Sequence, residues 1–248
     1  MSGTSLGRAP EIDLAFILSP IRSGSTLLRA ILDSNPEVCA PHELHLGDVK
    51  VECQSPYAQK AMGALGLDDE QLATLFCNHL YWLILQGTGK RLLVDKSPTN
   101  LLIWPKLISR WPAARYILLK RDPAAIARSV LGMGDGRLPE QAVDHVVRSV
   151  NLLAEVEAAL PDALVVHYER LVDDPAGEVT RVCSHLGVDY RPSMLEYGGG
   201  ASGPFVYGLG DWSDKIRSGT IQPGRTDRLD TRDWPALADA CRRWGYPE

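Results

Sequence analysis

The sequence predicts an α/β fold: a single domain with a mainly parallel central sheet flanked by helices. Two observations carry the prediction. Short apolar runs recur along the chain, and each is followed by a turn and then by residues at helical spacing. That alternation is the signature of right-handed βαβ units and of a sheet covered on both faces. The chain also has 248 residues, 45% of them hydrophobic, which is enough for one large domain with a substantial core.

Taken in order, residues 1–10 lack the basic and apolar blocks of a signal peptide and are expected to form a flexible arm ahead of a domain spanning 11–248. Residues 14–18 (LAFIL) read as a buried strand leading into a glycine-bearing turn at 19–25. Leu27, Leu28, Ile31 and Leu32 then mark a helix over 26–33, stopped by Asn35-Pro36. A longer helix is expected over 69–86. Strands at 91–95, 116–120 and 164–167 precede helices at about 99–109, 124–131 and 175–186, and a second long helix covers 139–160. In such sheets ligands bind beyond the carboxyl ends of the strands, so the residues just after each strand are the candidates for function.

Composition excludes several classes. The net charge is −5, with 31 acidic against 26 basic residues, whereas a general nucleic-acid binder carries a basic excess. Any anion site must therefore be local. No run approaches the ~20 apolar residues of a membrane span. Five cysteines without a C-x-x-C pair suit reduced thiols in a cytoplasmic protein.

The first local anion site is the stretch Ser19-Pro-Ile-Arg-Ser-Gly-Ser-Thr26, between strand and helix. Successive N–H groups there form a nest, and the helix N-terminus adds its dipole. Gly24 permits close approach of the backbone, Ser23, Ser25 and Thr26 offer donors, and Arg22 supplies a fork suited to phosphate or sulfate. A capped turn is the simpler account of the hydroxyls alone. The stretch is not a Walker A loop, because it has no lysine and only one glycine.

The second is Lys120-Arg121-Asp122-Pro123, followed about two helical turns later by Ser129. Arg121 at the strand end and Ser129 on the helix can share one anion. Between the two lies Ala40-Pro-His-Glu-Leu-His-Leu46. If this segment is extended, Glu43 and His45 point the same way, and either can serve as a base that the other orients. His42 and His45 lack a further Cys or His at ligand spacing, so no metal is expected. Lys96, just after a buried strand, is a candidate catalytic cation rather than an ordinary surface lysine.

These motifs resemble those of sulfotransferases that use 3′-phosphoadenosine 5′-phosphosulfate (PAPS). The stretch from Ser19 to Arg29 is similar to the family's 5′-phosphosulfate loop, closest to its P-R-S-G-[ST]-T-L-L-R form, with Ile21 as the departure. Arg121, Asp122, Pro123 and Ser129 match its 3′-phosphate signature. Residues 167–187 resemble its Y-E-x-L … D-P … F-L-G segment, which implies a nucleoside contact for Tyr168. Asp95-Lys96-Ser97-Pro98 resembles the turn that sets a lysine beside the transferring group, and Glu43 stands where the family's P-x-E segment carries its base. The resemblance covers most of residues 14–190 and implies a fold like that of the P-loop NTPases, with PAPS as co-substrate and no metal. Lys96 and Arg22 would face the developing charge.

On the acceptor side, the glycine-rich stretch at about 196–225 reads as a lid. Gly208, Gly210, Asp211 and Trp212 keep part of the family's R-K-G-x-x-G-D-W motif, but its Arg-Lys pair is missing, leaving Lys215, Arg217 and Arg225 as substitutes. The nearest resemblance is to sulfotransferase domains of polyketide synthases. It implies a hydroxylated small-molecule acceptor, free or carrier-bound, in antibiotic or other secondary metabolism; from its length the chain is expected to be a stand-alone enzyme, and from its composition to have no nucleic-acid or membrane partner. The rival readings are a nucleotide-dependent small-molecule kinase and a non-catalytic PAPS-binding protein.

Overall fold

β1 (Asp13–Leu18) is the central strand of the computed structural model, which describes residues 12–134, 136–199, 216–222 and 227–248. The expected 1–10 arm lies outside the described residues, as does most of the 196–225 lid. β1 alternates its side chains between two cores. Leu14, Phe16 and Leu18 join the cluster on one face of the sheet, whereas Ala15 and Ile17 join the cluster on the other. The neighbouring strands are β3 (Leu92–Asp95) and β4 (Arg115–Lys120), with β2 (Val38–Cys39) and β5 (Leu164–His167) at the edges. The order is β2-β3-β1-β4-β5, and every pairing is parallel. The mainly parallel α/β architecture expected from the sequence is thus present.

The helices supply the two cover layers. They are α1 (Ser25–Asp33), α2 (Pro56–Ala64), α3 (Asp69–Thr88), α4 (Trp104–Arg110), α5 (Pro123–Leu131), α6 (Pro139–Ala159), α7 (Tyr168–Asp173), α8 (Pro175–Leu186) and α9 (Pro235–Arg243). α3 begins with a reciprocal capping box between Asp68 and Gln71 and ends on Gly89 in the left-handed region, φ 66°. No helix among the described residues is long and apolar enough to cross a membrane.

One expected helix changes, and other elements had not been anticipated. The helix expected over 99–109 is a 3-10 turn (Pro98–Leu101) followed by α4, because Pro98 and Pro105 each open a new helical start. β2 has only two residues, too few to show a period. α2 buries none of its residues, so no apolar stripe marked it, whereas α9 buries Leu237, Ala240 and Cys241 against the first core cluster. All five cysteines are free thiols.

Sheet order decides where the site lies. β1 sits between β3 and β4, so the chain leaves β1 toward one side of the sheet and crosses to the other side after β3. That reversal opens a crevice beyond the carboxyl ends of β1, β3 and β4.

Candidate active site

The loop after β1 turns sharply. Arg22 (φ 64°) and Gly24 (φ 91°) are both left-handed, and Gly24 caps α1 without any side-chain hydrogen bond to the first-turn amides. Those amides therefore face the crevice as donors, in the arrangement that suits an anion. Gly24 is required twice. Its φ favours glycine, and a Cβ at this position would fall 2.3 Å from Cδ2 of Tyr168. The ring of Tyr168, at the end of β5, thus lies directly against the loop backbone. Ser23 is fully buried, and its hydroxyl has no hydrogen-bond partner among the described residues.

The end of β4 joins this loop. Arg121 donates to the carbonyl oxygen of Arg22 at 2.8 Å, and its guanidinium lies 4.4 Å from the centre of the Tyr168 ring. Arg22 in turn donates through Nε to the Ser129 hydroxyl at 3.1 Å. Arg22, Gly24, Arg121, Ser129 and Tyr168, drawn from four elements or loops, form one contiguous group. Arg22 touches both Arg121 and Ser129, the two residues expected to share one anion, and so brings them into one group.

Near the same α1 N-terminus, Lys96 is 3% exposed and forms an ion pair with Glu43. Its ammonium lies 3.4 Å from the Thr26 hydroxyl, within reach of the same helix start. Burial pushes the lysine below its ordinary pKa, and the neighbouring Glu43 carboxylate partly restores it. The second oxygen of Glu43 is 3.3 Å from Nε2 of His45. The three side chains form a line: Lys96, Glu43, His45.

Glu43 and His45 meet as expected, but the backbone reason differs. Residues 41–46 are not a strand. His45 is left-handed (φ 49°) and caps a 3-10 turn (Leu46–Asp48), which bends its ring back to Glu43. Among the described residues, Arg22 and His45 are the two non-glycine positions with positive φ. Each costs about 1–2 kcal/mol, so the fold concentrates its backbone strain at this crevice.

A buried carboxylate supports the line. Asp95, 1% exposed, accepts hydrogen bonds from Tyr81 (2.7 Å), Ser97 (3.0 Å) and Asn100 (3.1 Å). Ser97 also accepts from the His45 amide at 3.0 Å, which pins the strained turn. Burial raises the Asp95 pKa, and the three hydrogen bonds pull it back. Arg29, one α1 turn beyond the loop, donates to the Ala40 carbonyl at 2.7 Å and fixes where the Glu43 segment starts. Tyr81 and Asn100 were not singled out in the sequence, and Arg29 entered only as the last residue of the loop motif, with no role of its own. Asn100 lies close to the Asp95-Lys96-Ser97-Pro98 motif and so left a faint signal, whereas Tyr81 sits on a distant helix and left none.

The substitutes for the missing Arg-Lys pair, Lys215 and Arg225, lie outside the described residues, as does the side chain of Arg217. Among the described residues, no group of three or more His, Cys, Asp or Glu converges as a metal site.

A family model described as the sulfotransferase family matches residues 15–192. The nodulation protein NoeE of Sinorhizobium fredii is 30% identical over 220 residues, which cover 75% of this chain and 52% of that protein. A putative protein-tyrosine sulfotransferase of Caenorhabditis briggsae is 26% identical over 194 residues, covering 74% of this chain and 69% of its own. The chain thus spans about half the length of NoeE. Among solved structures, the sulfotransferase domain of the Synechococcus PCC 7002 olefin synthase superposes with a TM-score of 0.70 at 26% identity, covering 97% of this chain and 98% of that one. The sulfotransferase domain from the curacin biosynthetic pathway shares the fold, with a TM-score of 0.64 at 23% identity over 95% of this chain and 98% of its own.

Proposed function

The chain belongs to the sulfotransferase family, and from that premise we propose that it transfers a sulfuryl group from PAPS to a hydroxyl of a small acceptor. One observation carries the reading. Two groups of opposite character, one rich in guanidinium and one pairing Lys96 with Glu43, flank a single uncapped helix start. A donor with an anion at each end fits such a place. The α1 amides, Ser23, Gly24, Ser25 and Thr26 hold the 5′ end, Arg121 and Ser129 hold the 3′-phosphate, and Tyr168 contacts the nucleoside.

In the reaction, an acceptor oxygen bonds to sulfur while the bond from sulfur to the bridging phosphate oxygen breaks, releasing 3′-phosphoadenosine 5′-phosphate (PAP). Glu43 takes the acceptor proton, and His45 orients Glu43 through the contact already present. Lys96 and Arg22 stabilise the charge that builds on the transferring group and the leaving oxygen. Because Lys96 is buried beside Glu43, an anion arriving at Thr26 competes with Glu43 for the ammonium. As that ion pair weakens, Glu43 is released to act as a base. The likeness to sulfotransferase domains of an olefin synthase and of the curacin pathway supports an acceptor hydroxyl on an acyl intermediate, free or carrier-bound.

Calorimetry with PAPS, PAP, ATP and AMP tests the donor. The two adenosine 3′-phosphates should bind far more tightly than ATP or AMP, and equal affinity for PAP and AMP would remove the 3′-phosphate assignment. ATP turnover without sulfuryl transfer would make the protein a kinase instead. Binding of PAPS without turnover on any hydroxylated acceptor would make it a binding protein.

A further inference from the structure

The family match ends at residue 192, yet residues 227–248 return to the carboxyl end of β4 and fasten it. The Leu229 amide donates to the Ala124 carbonyl at 3.0 Å. Arg228 makes an ion pair with one oxygen of Asp122, whose other oxygen caps α5 at the Ala124 amide (2.9 Å). Asp122 is the residue next to Arg121.

The second fastening passes through Glu169. One of its oxygens accepts from the Asp122 amide at 3.1 Å, and the other accepts from the Tyr246 hydroxyl at 2.6 Å. His167 Nδ1 lies 3.1 Å from the same hydroxyl. Since the hydroxyl proton is already committed to Glu169, the histidine donates. Burial holds His167 below its ordinary pKa, which favours a neutral ring with its proton on Nδ1. The result is one directional chain from His167 to Tyr246 to Glu169, meeting the N–H of residue 122.

We propose that Tyr246 is a positioning residue for the anion site of Arg121, acting through Glu169 on the peptide that joins residues 121 and 122. The proposal rests on the reading that Arg121 meets the donor's 3′-phosphate. Arg121 has to reach the Arg22 carbonyl and the Tyr168 face together. Both contacts depend on the direction in which its backbone leaves β4. Glu169 follows Tyr168 directly, so a single rigid turn sets the ring on one side of Arg121 and the anchor of the next amide on the other. With both oxygens of Glu169 engaged, that anchor cannot rotate away. A phenylalanine at 246 keeps the ring packing but removes the proton that holds the carboxylate.

The test is a double-mutant cycle read by calorimetry with PAP and AMP on the full chain, using Tyr246→Phe, Arg121→Ala and the pair. Y246F should lose about tenfold in PAP affinity and less than about twofold in AMP affinity, on the scale of one hydrogen bond to a charged group. In the Arg121→Ala background it should cause no further loss for PAP. Glu169→Ala, which leaves residues 227–248 their own packing, should reproduce the selective loss if Y246F folds poorly. Equal losses for PAP and AMP, or a Y246F effect undiminished without Arg121, would reduce Tyr246 to a structural part and overturn the proposal. If Arg121→Ala itself leaves the PAP-to-AMP ratio unchanged, the 3′-phosphate reading falls first. If Arg121→Ala shifts the ratio and Y246F does not, only the positioning role fails.

Discussion

The two groups that flank the α1 N-terminus are held together in opposite ways. Lys96 and Glu43 satisfy each other by charge, with His45 against the second Glu43 oxygen, and burial holds the lysine below its ordinary pKa. Among their contacts, Arg22 and Arg121 engage a hydroxyl, a carbonyl oxygen and an aromatic face, partners that orient a guanidinium. The difference separates two jobs. A site that must hold an anion through the whole cycle is built from oriented guanidinium donors, whereas a site that must move a proton starts from an ion pair and is unbalanced by the incoming ligand.

The comparison can be broken most forcefully at Glu43. Glu43→Gln keeps the shape but not the basicity, and it should lower the single-turnover rate by roughly 10²–10⁴ while PAP still binds. His45→Gln should cost less. If rapid-quench measurements find His45→Gln dead and Glu43→Gln active, the base has been assigned to the wrong member of the line.

On the holding side the effect is smaller and falls on binding. Arg121→Ala should weaken PAP by about 1.5–3 kcal/mol and leave AMP nearly unchanged, and Ser129→Ala should cost about 1 kcal/mol. Calorimetric titration of both ligands separates these outcomes from a general loss of the fold.

Tyr81→Phe probes the support beneath the reaction side. It removes one of three donors to Asp95 and should cost about 1–2 kcal/mol of stability at pH 7, seen as a lower urea midpoint with an unchanged slope. The folded-state pKa of Asp95 is raised, so the folded protein binds its proton more readily than the unfolded chain does. The cost of burying the charge is therefore present at neutral pH and disappears as pH falls toward 3.8. The Tyr81→Phe defect should shrink along the same path, and a defect independent of pH would disconnect the hydroxyl from the carboxylate.

The smallest effect concerns the alkaline limb of activity. Lys96 must be cationic to act, and burial sets its pKa below the 10.5 of a free lysine, so turnover should fall with rising pH earlier than an exposed lysine would dictate. In Lys96→Arg the surviving activity should persist to higher pH, because the guanidinium does not titrate there. An unchanged limb in a pH–rate profile would place that ionisation elsewhere.

The sequence made the strand ends legible because each motif there is continuous. The loop from Ser19 to Thr26, the Arg121 turn and Lys96 all follow buried strands with clear apolar runs, and the parallel order brings those ends together. What escaped depends on contacts between distant segments. The left-handed turn at His45 is stabilised by Ser97 from another loop, so local pattern favoured an extended segment instead. Tyr81 and Tyr246 reach the site through single hydroxyls on helix α3 and on residues 227–248, and one buried hydroxyl has no periodic signature. The two-proline break between 98 and 105 was readable but lost to the apolar spacing around it.

The contact between Gly24 and the Tyr168 ring bears on how such a protein can be varied. The space a side chain would need at residue 24 is already filled by Tyr168, just after β5, so residue 24 cannot gain a side chain unless residue 168 shrinks. Transplanting the β1 loop into another scaffold therefore requires taking the β5 end with it. A library that randomises residue 24 while fixing residue 168 should return glycine almost alone. Allowing both to vary should recover a second class, in which a smaller residue at 168 accompanies a side chain at 24 able to tolerate a positive φ, asparagine before others.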